Sequence, residues 1–436
     1  MGQGHRNTRS MAVVICLAVL LLVDIVLAVV LTVQDGTKKN PSGKEEDIAE
    51  ETGGDNKDFG NTWEISGEGA GENTSAEEPP DSSADDRVEK FLAGMDLKQK
   101  VAQMFMVTPE ALTGYSKVTA AGEVTKQCFI RYPVGGVIYM AGNLIDTEQT
   151  RIMLSNMQDY SVEYLGFPVF LGVDEEGGTV ARIARNRAFG VEDVGNISEI
   201  GASGNCDLAY QAGGTIGAYL SALGFNLDFA PVADVWSNKK NTVVKYRSPG
   251  SDAELVRDMV IAQIEGFKEQ GILCAVKHFP GHGSTVEDSH NGAAVVERTL
   301  QELFECDLIP FKGAVQAGVP FVMVGHLSLP KVVEEDVPAV FSKEIITGIL
   351  RGELGFDGIV ITDALDMGAV TDYYSSAQAA VMAVAAGADM LLMPEDFVAA
   401  YEGVLNAVQR GELTQERIDE SVRRILKVKL EMADMP

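Results

Sequence analysis

Ile272-Leu273-Cys274-Ala275-Val276-Lys277-His278-Phe279-Pro280-Gly281-His282-Gly283 is the stretch on which the reading of the whole chain turns. Its first five residues are apolar without alternation, the pattern of a strand buried on both faces in a parallel sheet. Its last seven carry a Lys and two His on backbone punctuated by Pro and Gly, and Asp288-Ser289-His290 follows closely. The chain has five His, and three of them fall within residues 277–290. A strand ends, and the chain at once presents cationic and titratable groups. In α/β proteins chemistry sits just past the carboxyl ends of the strands. A mere connector would not carry polar groups at this density.

Similar short apolar runs recur outward from it, at 104–107, 136–140, 169–173, 226–231, 321–325, 358–362 and 390–393, which with 273–277 make eight. Helical periodicity separates them near 147–164, 207–222, 252–269, 299–316, 344–354 and 375–386. A lead-in helix is expected over 86–101 and closing helices near 397–409 and 414–432. Strand–helix alternation repeated eight times predicts an α/β fold, a single (β/α)8 barrel of the TIM type over residues 87–436. A doubly wound open sheet is the competing arrangement. The chain shows no Gly-rich phosphate loop after a strand, which favours the barrel. Only helix is expected after the last strand, so no second domain is expected there.

In such a barrel the residues just past each strand share one mouth. Strand three ends in Asp174-Glu175-Glu176-Gly177-Gly178, with Arg182 further on. Strand four is followed by Asp234 and then by Lys245-Tyr246-Arg247-Ser248, and strand five by Lys277, His278, His282, Asp288 and His290. Strand six leads to His326 and strand seven to Thr362-Asp363. Converging carboxylates and cations suit a sugar, whose several hydroxyls are read by charge-assisted hydrogen bonds. Cleaving a glycosidic bond needs an acid for the leaving oxygen and a nucleophile or base at the anomeric carbon. Asp363, fixed at a strand end among apolar Ile361, Ala364 and Leu365, is the candidate nucleophile. His290, oriented by Asp288, is the candidate acid, because a neighbouring carboxylate sets a His tautomer and stabilises its charge. His282 and Glu287 are next in line. A zinc hydrolase would need His278, His282, His290 and Asp363 as ligands. Pro280-Gly281 takes His278 and His282 out of a helical ligand pair, so neither metal nor cofactor is expected. A wall-binding protein without catalysis would need neither Asp363 nor the Asp288–His290 pair.

These segments together resemble glycoside hydrolase family 3, in its bacterial single-domain β-N-acetylglucosaminidase branch, over about residues 85–436. Lys277 to Gly283 with Asp288-Ser289-His290 carries most of the likeness. Val173-Asp174-Glu175-Glu176-Gly177-Gly178-Thr179-Val180-Ala181-Arg182 is similar to the family's D-x-E-G-G-x-V-x-R segment, and Asn226 to Val235, Arg247-Ser248 and Ile361 to Met367 match too. The resemblance implies a retaining exo-β-N-acetylglucosaminidase (β-N-acetylhexosaminidase) acting on oligosaccharides or muropeptides from peptidoglycan. It makes Asp363 the nucleophile of a covalent glycosyl intermediate and Asp288–His290 the acid/base dyad. It assigns Asp174, Arg182, Arg247, Lys277 and His278 to the terminal sugar. A β-glucosidase or a glycoside phosphorylase on the same barrel is the alternative.

The net charge of −29 argues against nucleic acid, which is bound through basic patches. Residues 34–86 hold sixteen Asp and Glu against four Lys, a net of −12 from 4 − 16. That stretch, poor in apolar residues, reads as a disordered acidic linker. Before it, residues 11–33 are apolar except for Asp24 and Thr32, long enough for a membrane-spanning helix. Arg6 and Arg9 place residues 1–10 in the cytoplasm and the barrel outside the cell membrane. A cleaved signal peptide with secretion is the alternative. The five Cys, at 16, 128, 206, 274 and 306, match no zinc motif and no disulfide framework. A monomer is expected.

Overall fold

Eight parallel strands lie side by side in the order of the chain, each hydrogen-bonded to its sequence neighbour. The protein is described here by a computed structural model covering residues 84–285, 294–334 and 337–434. The strands are β1 Phe105–Val107, β2 Gly136–Ile138, β3 Phe170–Val173, β4 Leu227–Asp228, β5 Leu273–Phe279, β6 Phe321–Val324, β7 Ile359–Thr362 and β8 Leu391–Leu392. β1 pairs with β8 through Phe105 and Leu391. β7 reaches β8 through a parallel bridge between Ile361 and Met390 and a bond from Thr362 N to Met390 O of 3.0 Å. The sheet therefore comes round on itself as a nearly closed barrel. All eight expected strands are present, shortened by a residue or more at their ends except for β5, which runs on through Phe279.

The barrel is filled by apolar side chains, which is why its strands read as unbroken apolar runs. Phe170 and Phe321 meet edge to face inside it at 5.1 Å. Gly172 admits no side chain, since a Cβ there would lie 2.5 Å from Met106 and 3.0 Å from Phe229. Helices cross outside between successive strands, among them Thr147–Leu165, Cys206–Leu223, Ala253–Glu269, Leu308–Gln316, Glu344–Glu353 and Ser376–Ala386. Phe397–Gln409 and Gln415–Ala433 follow β8.

Three expected helices differ in detail. The lead-in helix is two, Ala84–Gly94 and Leu97–Gln103, because Asp96 and Gln99 form a capping box that starts the second. The helix expected over 299–316 is also two, divided at Cys306 and Asp307. Glu344–Glu353 is wound with π-type hydrogen bonds. The apolar stretch 11–33, the acidic stretch 34–83 and the Asp288–His290 pair lie outside the described residues. Among the described residues no helix is long and apolar enough to cross a membrane.

Candidate active site

At the carboxyl end of the barrel a cavity of about 320 Å³ is lined by Asp174, Arg182, Arg247, Lys277, His278 and Asp363, together with Glu176 and His282. All six described residues that the sequence assigned to a site thus meet in one place. A larger groove of about 770 Å³ on the barrel's flank, lined by Glu148, Arg151 and Ser221 among others, brings no such set of acids and cations together.

Alternation along the extended chain after β3 organises one wall. Successive side chains of an extended segment point to opposite sides. Asp174 and Glu176 turn toward Lys277, whose Nζ lies 2.8 Å from Asp174 Oδ1 and 2.7 Å from Glu176 Oε1. Arg247 grips Glu176 from the loop after β4 with two bonds of 2.7 Å each. Burial alone would raise the Glu176 carboxyl, yet Arg247 and Lys277 hold it well below the usual carboxylate range. Burial likewise opposes the charge on Lys277, and Asp174 and Glu176 raise it above the ordinary lysine value. Both groups are therefore charged at neutral pH. Arg182 stands 3.8 Å from Asp174, a looser pair that borders the open space.

Glu175 faces the other way and supports this wall from behind. Its carboxyl accepts from the amides of Arg182 at 2.5 Å, Ile183 at 2.9 Å and Ala184 at 2.8 Å, and from the Tyr219 hydroxyl at 2.9 Å. Its own amide donates to Asp228 on β4 at 2.9 Å. The arm carrying Arg182 thus hangs on one buried carboxyl.

The end of β5 and the turn after it are held together by Asp234. Its Oδ2 lies 2.8 Å from His278 Nδ1, and its Oδ1 accepts from the His282 amide at 2.6 Å. Burial opposes the Asp234 charge, and His278 overcomes it, lowering the carboxyl below its ordinary value. His278 Nε2 lies 3.3 Å from Arg247, so its ring bridges the turn and the cation wall. His282 is buried, and burial pushes its imidazole below the usual histidine range, with Asp234 in partial opposition. A mostly neutral imidazole at pH 7 is a poor proton donor, which weakens His282 as the acid. Its Nδ1 also lies 2.9 Å from Thr285 Oγ1.

Asp363 stands across the cavity at the end of β7. Its amide is tied to Val324 O at 2.8 Å, and its Oδ1 accepts from the Ala364 amide at 2.8 Å. His326, fully buried after β6, lies 2.8 Å from Ala364 O and fixes that segment. Burial would raise the Asp363 carboxyl, but His278, His326 and the Ala364 amide lower it. An ionised carboxylate aimed into a cavity is what a nucleophile or base requires.

Glu176 and Asp234 are the members that the sequence reading did not assign. The signal for Glu176 was its two-residue spacing from Asp174, which places both on one side of an extended chain. For Asp234 it was only its place just past β4. Among the described residues no group of His, Cys, Asp and Glu is arranged to hold a metal ion.

Comparison with known proteins bears on this arrangement. The glycosyl hydrolase family 3 N terminal domain matches residues 96–428. Beta-hexosaminidase A of Pseudoalteromonas piscicida is 34% identical over 326 residues, covering 69% of this chain and 54% of that protein. A beta-N-acetylglucosaminidase/beta-glucosidase of Cellulomonas fimi is 30% identical over 351 residues, covering 78% and 59%. The solved structure of a glycoside hydrolase family 3 beta-N-acetylglucosaminidase from Paenibacillus sp. str. FPU-7 superposes with a TM-score of 0.73 at 39% identity, covering 78% of this chain and 63% of that one. The chain spans somewhat more than half the length of these relatives.

Proposed function

The chain belongs to glycosyl hydrolase family 3, and on that premise we propose that it is a retaining, exo-acting β-N-acetylglucosaminidase. The observation that carries the reading is Asp363, held ionised and anchored by the Ala364 amide, opposite the Asp174–Lys277–Glu176–Arg247 network in one cavity. A volume of about 320 Å³ lies at the small end of ligand pockets, which run from about 300 to 1,000 Å³. That favours one terminal sugar over a threaded chain.

In the proposed reaction Asp174, Arg182, Arg247, Lys277 and His278 bind the hydroxyls of the terminal sugar. Asp363 attacks the anomeric carbon and forms a covalent glycosyl ester. His290, paired with Asp288, gives a proton to the leaving oxygen and later takes one from water. The relatives named for β-hexosaminidase and N-acetylglucosaminidase activity support N-acetylglucosamine as the sugar. The Cellulomonas fimi relative, named for both activities, favours β-glucosides as a second reading. Parallel assays on N-acetylglucosaminide and glucoside reporters, with and without phosphate, separate the cases. The proposal expects hydrolysis of the N-acetylglucosaminide, independent of phosphate, with the β-anomer released first. An α-anomer first, or product only with phosphate, would overturn it.

We further propose that residues 11–33 anchor the enzyme in the cell membrane and that residues 34–86 tether it outside, near peptidoglycan fragments. Protease added to intact protoplasts should release the barrel by cutting within 34–86. Full protection would place it inside.

A further inference from the structure

Asp307 lies fully buried where the helix Leu300–Glu305 gives way to Leu308–Gln316. Neither of its carboxyl oxygens accepts a hydrogen bond from any other described residue. Arg298 Nε stands 3.0 Å from Oδ2, an ion pair without the alignment of a hydrogen bond. A buried acid held this loosely costs free energy, and such a group calls for a physical reason.

Its neighbours supply one. Asp307 packs against Gly281, where a Cβ would lie 2.8 Å from the Asp307 Cβ. Gly281 has a φ of +127°, and its amide donates to His278 O at 2.8 Å, closing the turn that joins His278 to His282. Two residues on, the same turn meets the loop after β4. Gly283 leaves no room for a Cβ against Val235 O, and the Asn238 amide donates to Gly283 O at 3.1 Å. Arg298 reaches both supports. Its Nε faces Asp307, and its Nη2 donates to Ser237 Oγ at 2.9 Å. The turn thus packs on Asp307 and on residues 235–238, and Arg298 ties the two together.

We propose that Asp307 is a positioning residue: paired with Arg298, it sets the turn at Gly281 and through it the His278 and His282 side of the cavity. Neither Asp307 nor Arg298 lines that cavity, so they act on a substrate only through the turn. The inference rests on the glycosidase reading above, which gives His278 to the terminal sugar, and adds the control of that site. The charged and titratable groups facing Asp307 are Arg298, Asp234 from the loop after β4, Glu302 from the helix Leu300–Glu305 and the adjoining Cys306 thiol, which burial raises. On the turn itself the rings of His278 and His282 face Asp234 and Thr285. Burial pushes the Asp307 carboxyl up to about 7, Arg298 pulls it down, and Asp234 and Glu302 push it up. Above that pH the carboxylate holds Arg298 and Arg298 holds Ser237. Below it the carboxyl is neutral and the tie loosens.

The test measures kcat and KM for a neutral aryl β-N-acetylglucosaminide from about pH 6 to about pH 8. In wild type KM should rise about tenfold as pH falls through this range, the weight of one charged contact. Asp307→Asn fixes the neutral state, so its KM should stay at the high value throughout. Arg298→Gln should give the same flat, high KM, and Arg298→Lys, which keeps the cation, should restore part of the wild-type limb. The backbone amide signal of Gly281 in nuclear magnetic resonance should step near pH 7 in wild type and not in Asp307→Asn. A wild-type KM with no limb in this range, or a limb that persists in Asp307→Asn, overturns the positioning role, whatever the variant's stability. If wild type does not cleave the glycoside, the glycosidase reading falls, and the Gly281 step alone then decides whether Asp307 sets the turn. A Gly281 signal that does not step overturns the proposal in either case.

Discussion

The barrel buries ion clusters at both ends, and they differ in what they leave open. At the closed end Asp389 is fully buried before β8. Arg351 approaches it at 2.5 Å, Arg424 at 3.2 Å and Arg417 at 3.7 Å, while Ser421 and the Val360 amide donate to it at 2.7 and 2.9 Å. Arg351 spends its other donors on Phe356 O and Gly358 O, and Arg417 on Val384 O and Ala388 O. The cluster clamps the C-terminal helix Gln415–Ala433 to the starts of β7 and β8, and only Arg424 among its members also borders an outer groove, with Asp357 and Glu420. At the mouth Glu176 is equally buried, but Asp174 and Arg182 stay 3.8 Å apart on the edge of a cavity. The same residue types make a brace where the central carboxylate is enclosed by donors of the protein itself, and a binding wall where carboxylates and cations share the cavity that Asp363 lines.

The sharpest way to break this contrast is one substitution at each end. Asp363→Asn should cut turnover by about 10⁴-fold or more for every leaving group, since it removes the attacking atom. Its unfolding midpoint in denaturant should change little. Asp389→Asn should do the reverse. Stripping a buried charge of its partner costs about 3–5 kcal/mol, read as a lower denaturation midpoint, while kcat/KM per folded molecule is retained. An inactive but fully stable Asp389→Asn protein would contradict the division.

Glu175 sharpens the comparison because it is a saturated brace inside the mouth. Glu175→Ala frees three amides of the arm that carries Arg182. KM should rise about tenfold, from the loss of roughly 1 kcal/mol or more of positioning, with kcat within a few-fold of wild type. Glu175→Gln should restore part of the loss. A fall in kcat at constant KM would instead place Glu175 in the chemical step.

The smallest effect is a pH dependence. Glu176 is depressed by Arg247 and Lys277 against burial, so its contribution to stability is complete above the ordinary glutamate value of 4.5. It declines as pH falls below that value and is gone below the depressed one. The stability gap between wild type and Glu176→Gln, measured by denaturant unfolding, should be constant from pH 6 to 8 and shrink below about pH 4. A gap that widens in acid would mean that the pairing is not what lowers the carboxyl.

Much of this was legible in the sequence, for physical reasons. Strands sandwiched between barrel interior and helices must be apolar on both faces, so all eight stood out. Asp174 and Asp363 were found because each sits just past a strand, and Lys277 because it closes the apolar run 272–276, although β5 continues through Phe279. The break at Asp96 was hidden because Val88, Phe91, Leu92 and Met95 keep helical spacing right up to it, whereas the capping box depends on a single Asp–Gln exchange. The π-type winding of Glu344–Glu353 leaves no mark on apolar periodicity. Glu175 and Glu176 look alike in a row of acids. Only the alternation of an extended chain separates the brace from the cavity wall, and that needs the strand end to be known to the residue.

The central claim is that Asp363 attacks the sugar. Incubation with a 2-deoxy-2-fluoro or 5-fluoro glycosyl substrate that forms the intermediate quickly and releases it slowly, followed by proteolysis and mass spectrometry, tests it most directly. The account predicts one sugar per chain, esterified to Asp363 and released when activity returns. A sugar on another carboxylate, or inhibition with no covalent adduct, would contradict it.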